Sequence, residues 1–227
     1  MADHSPFLLL RREHGTRGLV RSLVRATARA DERATARLLG ALLTLDAPPD
    51  RGAARGAGAE RAVAEALAAF PASRAVAGTA LGALARVWAF DDAADTERLL
   101  DATLAALARH AGDALLQAAG VRLLKLHVRS AQQLVATPRV LAALERAMLA
   151  LPADDAVQHW GAEAVVALNG IEPAALVKAH GALGYGAIAE ASVRLCLATP
   201  RPATLHVGGV DWQAKVLAVH PRLRSQA

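Results

Sequence analysis

The sequence predicts an all-α fold in which pairs of helices recur along the chain, and three observations predict it. The first is composition: of 227 residues 54% are apolar, 3% are aromatic, and 57 are alanine. Ala, Leu and Arg favour helix, whereas small β-sandwiches and barrels draw on β-branched and aromatic residues. The second is an internal period of 40 to 41 residues. The third is apolar spacing of three and four residues inside each period, which puts one apolar stripe on a helix. The high apolar fraction also excludes a disordered chain, and the single cysteine, Cys196, excludes a disulfide framework and a cysteine-based zinc site.

At the N-terminus, Phe7 to Leu10 is an apolar run between Asp3 and the pair Arg11 and Arg12. It is too short, and preceded by the wrong charge, for a secretory signal. Arg17, Arg21, Arg25, Arg29, Arg33 and Arg37 then recur at every fourth residue. On one unbroken helix such a series would drift about 40° per step. Asp31 and Glu32 instead predict a break, with Asp31 capping a second helix. Leu19, Val20, Leu23, Val24, Leu38, Leu39 and Leu42 are expected to face inward, which leaves the arginines as a basic face. Asp46 to Ala59 holds Pro48, Pro49, Gly52, Gly56 and Gly58 and is expected to be a flexible loop.

The repeat is plainest in the middle of the chain. Pro152 to Leu168 contains Val157-Gln158-His159-Trp160-Gly161, and forty-one residues earlier stands Leu116-Gln117-Ala118-Ala119-Gly120. A further step of forty residues reaches Val76 to Ala80, and one more reaches Gly40. The stretches Arg61 to Phe70, Arg98 to His110 and Val140 to Leu151 supply a first helix before each of the last three copies. Pro71 and Pro152 cannot continue a helix, while Asp113, Asp154 and Asp155 can cap the next one. A Gly or Ala in mid-helix allows a neighbour to approach closely, at about 1 kcal/mol in propensity for Gly.

An apolar residue, Gln, two variable residues, Gly and a closing apolar run resemble the armadillo repeat, and more loosely the HEAT repeat. The resemblance is best over Arg61 to Gly170 and looser over Arg17 to Leu45 and Pro173 to Leu197. It implies a right-handed α-solenoid of about five repeats and a binding scaffold without catalysis of its own. The expected organisation is one repeat domain over 1–227, with an irregular N-terminal repeat 1–59, the flexible loop 46–59, regular repeats 60–199 and a C-terminal cap 200–227. The cap is expected to hold a short helix, Asp211 to Val219. Armadillo arrays that bind extended peptides carry an Asn ladder on the last helix of each repeat. Here only Asn169 matches it, which argues against that binding mode.

Chemistry finds little support. No two of the eight histidines stand three or four residues apart, so no metal site is expected. Gly181, Gly184 and Gly186 follow a helical pattern rather than a strand and read as a turn, not a phosphate loop. No cofactor and no enzymatic activity are expected. Ligand contact is expected from Arg86, Lys125, His127, Asn169 and Trp160, Trp160 either anchoring a partner or filling a gap between helices.

The net charge is +5 and the pI near 10.3. With 23 Arg against 3 Lys, the basicity reads partly as compositional bias. The first expectation is therefore a protein-interaction scaffold, cytoplasmic or nuclear. The second is a nucleic-acid or acidic-surface binder using the arginine face. The third is a structural segment of a larger protein such as a kinase-like one.

Overall fold

The computed structural model describes residues 6–88, 93–128 and 137–169. Every regular element among them is a helix. The predicted turn at Gly181 to Gly186, the repeat Pro173 to Leu197, Cys196, the cap 200–227 and the side chain of Asn169 lie outside the described residues. None of the described helices is long and apolar enough to cross a membrane. The chain divides into two compact units, Met1–His110 and Ala111–Ala227.

The first unit opens with α1 (Pro6–Ala28), which Gly15 interrupts with φ 61° and ψ 167°. The helix α2 (Glu32–Leu43) follows, and its N-cap is Asp31, as the sequence predicts. The Asp31 carboxylate accepts the Ala34 N–H at 2.9 Å. Between the two helices the Asp31 N–H donates to the Ala26 carbonyl and the Ala30 N–H to the Thr27 carbonyl, both at 3.0 Å. These two bonds make a Schellman motif, whose left-handed position falls on Ala30 with φ 54°. An alanine Cβ there costs free energy that glycine avoids. Glycine gives part of this back through a more flexible unfolded chain. Ala30→Gly is expected to raise stability by about 0.5 kcal/mol, read as a higher thermal midpoint.

The segment Asp46 to Ala59, expected to be a flexible loop, instead carries the helix α3 (Pro48–Gly56). Proline breaks a helix from inside, yet at the first turn its missing N–H was unpaired anyway and its fixed φ is already helical. Pro48 and Pro49 occupy those first positions, Asp50 complements the first turn and Arg55 the last. Asp50 also accepts the Thr16 hydroxyl at 3.2 Å, tying α3 to α1.

The unit continues with α4 (Ala59–Ala69), α5 (Arg74–Val87) and α6 (Ala93–Arg109). The helix α2 lies against both α1 and α5, while α4 lies against α5 and α6. Its core holds Leu19, Leu23, Leu39, Leu42, Leu81, Leu84 and Leu100, all essentially inaccessible. The second unit contains α7 (Ala114–Val128), α8 (Thr137–Ala150) and α9 (Asp155–Asn169), with α9 against both α7 and α8.

One turn recurs across these elements. Ser73, Asp113 and Asp154, spaced by 40 and 41 residues, each accept the backbone N–H three residues on, at 3.1, 3.2 and 2.8 Å. The Ser73 N–H closes on the Phe70 carbonyl, and the Asp154 N–H closes identically on Leu151. After each cap comes a buried apolar residue, Val76, Leu116 or Val157, and then a buried small one, Ala80, Gly120 or Gly161. The sequence period therefore marks a repeated local structure.

Candidate functional site

In the first unit the six arginines are all exposed. On α1 the stripe Arg17, Arg21 and Arg25 stands opposite the buried side formed by Leu19, Val20, Leu23 and Ala26. Arg29 lies in the α1–α2 turn, and Arg33 and Arg37 lie on α2. Residues 15–45 carry these six arginines against two carboxylates, Asp31 and Glu32. Both acids are engaged elsewhere. Asp31 caps α2, and Glu32 accepts the Ser73 hydroxyl at 2.6 Å. Among the described residues no carboxylate forms an ion pair with any of the six. Like charges at four-residue spacing on a helix oppose it by about 0.2–0.5 kcal/mol per pair, and Arg17–Arg21, Arg21–Arg25 and Arg33–Arg37 are three such pairs.

Arg86, in the last turn of α5, reaches back forty residues to Asp46 with Nη1 2.8 Å from Oδ1. Both ends are substantially exposed, so the pair orients the Arg86 side chain more than it stabilises the unit. A cleft of about 900 Å³ opens beside α4 and α6. It exists because its walls are built largely from small residues, among them Ala64, Ala68, Ala102 and Ala105.

In the second unit α7 and α9 bring together residues that stand 35 to 38 positions apart. Lys125 forms an ion pair with Glu163, and the two side chains are only 13% and 22% exposed. The Lys125 Nζ also lies 4.6 Å from the centroid of the Trp160 ring, and the Arg122 guanidinium lies 5.3 Å from it. A cation over an aromatic face is attracted by the ring quadrupole. His159 meets the same ring edge-on at 4.7 Å. Trp160 is half-buried and works as a platform joining α7 to α9. Lys125, expected to face a ligand, is instead held by Glu163 and Trp160.

His127 requires a second correction. It was expected to contact a partner, but it is 1% exposed. Burial, which penalises the charged imidazolium, lowers its pKa from 6.5 to about 4. It is therefore a neutral core residue. Its position announces this, because Gly120, Leu123, Leu124, His127 and Val128 share the buried stripe of α7.

Gln158 is a residue whose task the sequence pattern marks but does not explain. Its side-chain amide donates to the Met148 carbonyl at 2.8 Å and to the Leu151 carbonyl at 3.1 Å. The Met148 carbonyl would ordinarily accept the N–H four residues on, but that residue is Pro152, which has none. Gln158 supplies the missing donor, so the proline that ends α8 and the glutamine inside α9 belong to one device. Gln158→Leu leaves a buried carbonyl without this donor and is expected to cost about 1–2 kcal/mol. A lowered urea midpoint at unchanged slope would report it.

No groups of histidine, cysteine and carboxylate residues suited to a metal ion occur among the described residues. No protein-family model, curated protein sequence or solved structure matches the chain.

Proposed function

We propose that the chain is a non-catalytic scaffold, a right-handed solenoid of about five armadillo- or HEAT-like repeats that binds a protein partner along its second helices. The observation that carries this reading is the recurring capped turn at Ser73, Asp113 and Asp154, each followed by a helix with the same buried columns. Repeats of this kind bury their faces against their neighbours and leave an extended surface for ligands. Arg86 and Asn169 remain contact candidates on second helices, and Trp160 joins them through its exposed part. Arg122, exposed beside Trp160, is added to them. His127 is withdrawn by its burial, and Lys125 by its pairing with Glu163.

The test places a photo-crosslinking residue at position 86 or 122, and separately at position 142 on the exposed side of α8. Crosslinks to a protein partner are expected from 86 and 122 and not from 142. Equal yields from all three, or none from any, would refute the reading.

A further inference from the structure

We infer that the arginine ridge of α1 and α2 docks an acidic protein segment, one presenting Glu or Asp side chains at spacings near those of the arginines. The inference deepens the scaffold reading by naming the chemistry of one partner, and it rests on that reading only in taking the partner to be protein.

The ridge is regular and exposed. Four residues of α-helix rise about 6 Å, so Arg17, Arg21 and Arg25 are carried at that interval along α1, with Arg33 and Arg37 repeating it on α2. An acidic helix with carboxylates at every fourth residue has the same rise. An extended segment with carboxylates at alternate positions has nearly the same rise, about 6.7 Å. The planar guanidinium fork pairs with a carboxylate through two parallel hydrogen bonds.

A helix face whose role is solvation mixes its signs. On α4 this is seen directly, where Arg61 pairs with Glu65 four residues on at 2.9 Å. The ridge does the reverse. It stacks like charges at four-residue spacing, and the two carboxylates within residues 15–45 are turned to other donors, Asp31 to the Ala34 N–H and Glu32 to the Ser73 hydroxyl. The composition of the chain accounts for arginine in place of lysine. It does not account for six arginines against two engaged acids within 31 residues.

The chemistry of the ridge favours a carboxylate partner over a nucleic acid. Residues 15–45 contain no Phe, Trp, Tyr or His on which a base could stack, and no Asn or Gln to read a base edge.

Binding of the full chain is measured by fluorescence anisotropy at 50 and 200 mM salt, against a labelled 20-residue poly-glutamate and a 20-base-pair duplex. Poly-glutamate is expected to bind at low salt and weaken at high salt. Charge reversal at Arg17, Arg21 and Arg25 to Glu is expected to weaken it at least tenfold. Arg146→Glu, on α8, is expected to change it less than twofold. Circular dichroism checks the fold. Should the reversal variant unfold, the Arg21→Gln and Arg25→Gln pair carries the same expectation at about threefold. No poly-glutamate binding at 50 mM salt, equal loss in the ridge and Arg146 variants, or tighter binding of the duplex would each overturn the inference. Crosslinking from positions 86 and 122 is independent of all three results, so the scaffold reading stands or falls separately.

Discussion

Acidification from pH 6.5 to pH 4 is expected to remove about 3 kcal/mol of unfolding free energy through His127. Its pKa lies near 6.5 in the unfolded chain and about 4 in the folded one, and each unit of difference is worth 1.36 kcal/mol. Between these values the unfolded chain has taken up the proton and the folded chain has not. The unfolded state then binds more protons, so stability rises with pH across the window. The contribution is complete above pH 6.5, falls as pH drops, and is gone once pH passes below 4. The His127 contribution is isolated by a comparison between chains. Urea unfolding of the wild type and of His127→Leu at pH 7, 6, 5 and 4 isolates the term. The stability difference between them should shift by about 3 kcal/mol in favour of the variant as pH falls. Parallel curves would mean that the imidazole titrates normally, and therefore that it reaches solvent in the folded state.

His127 also shows how a sequence reading goes astray. A histidine near a helix end, two residues after a lysine, reads as a polar contact. The neighbouring residues say otherwise, since the three- and four-residue spacing from Gly120 and Leu124 puts position 127 on the buried stripe. Periodicity outranked residue type there. The expected inward face held for Leu19, Val20, Leu23, Leu38, Leu39 and Leu42, which are buried, and failed at Val24, which is 44% exposed. The caps at Asp31, Asp113 and Asp154 were legible because an acceptor placed before an apolar stripe has a local geometry, set by three residues. The loop expected at 46–59 failed for the opposite reason. Proline marks both where a helix cannot continue and where one can begin, and only tertiary context distinguishes the two.

Partnerships across long separations were not legible at all. Arg86 with Asp46, Lys125 with Glu163 and Arg122 with Trp160 are separated by about forty residues, one repeat period. The period predicts that such residues come near each other, but not which rotamers meet. The exposed arginines differ, because their property is the lack of neighbours within the helix. A four-residue spacing interrupted only by the acids Asp31 and Glu32 can be read directly from the chain. That is why the ridge survives into the structure while His127 and Lys125 leave the candidate surface.

Replacing Gly161 by valine is expected to destabilise the second unit by about 3 kcal/mol. A Cβ at this position would stand 2.5 Å from the Met148 Sδ, 2.7 Å from its Cγ and 3.3 Å from its Cε. The glycine column thus has a physical cause in this copy: α9 crosses α8 where a methionine side chain fills the space a Cβ would take. Gly82 serves the same end in the first unit, with the Leu43 Cδ2 at 2.6 Å from its virtual Cβ. Alanine at 161 sets two effects against each other. It gains about 1 kcal/mol in helix propensity over glycine, and it forces the flexible Met148 side chain to retreat, so a change within about 1 kcal/mol of zero is expected. Valine adds two more carbons at a stiff, branched centre, and overpacking of a dense core costs about 1–3 kcal/mol, occasionally more. Met148→Ala alone opens a cavity at about 2–5 kcal/mol. If contact with Met148 causes the valine effect, the double variant Gly161→Val with Met148→Ala must fall short of the summed losses by at least 1 kcal/mol, since each change fills or vacates the space the other needs. Strict additivity would mean that Met148 is not what the added carbons meet, and the small-residue column would lose its explanation as a site of close helix approach.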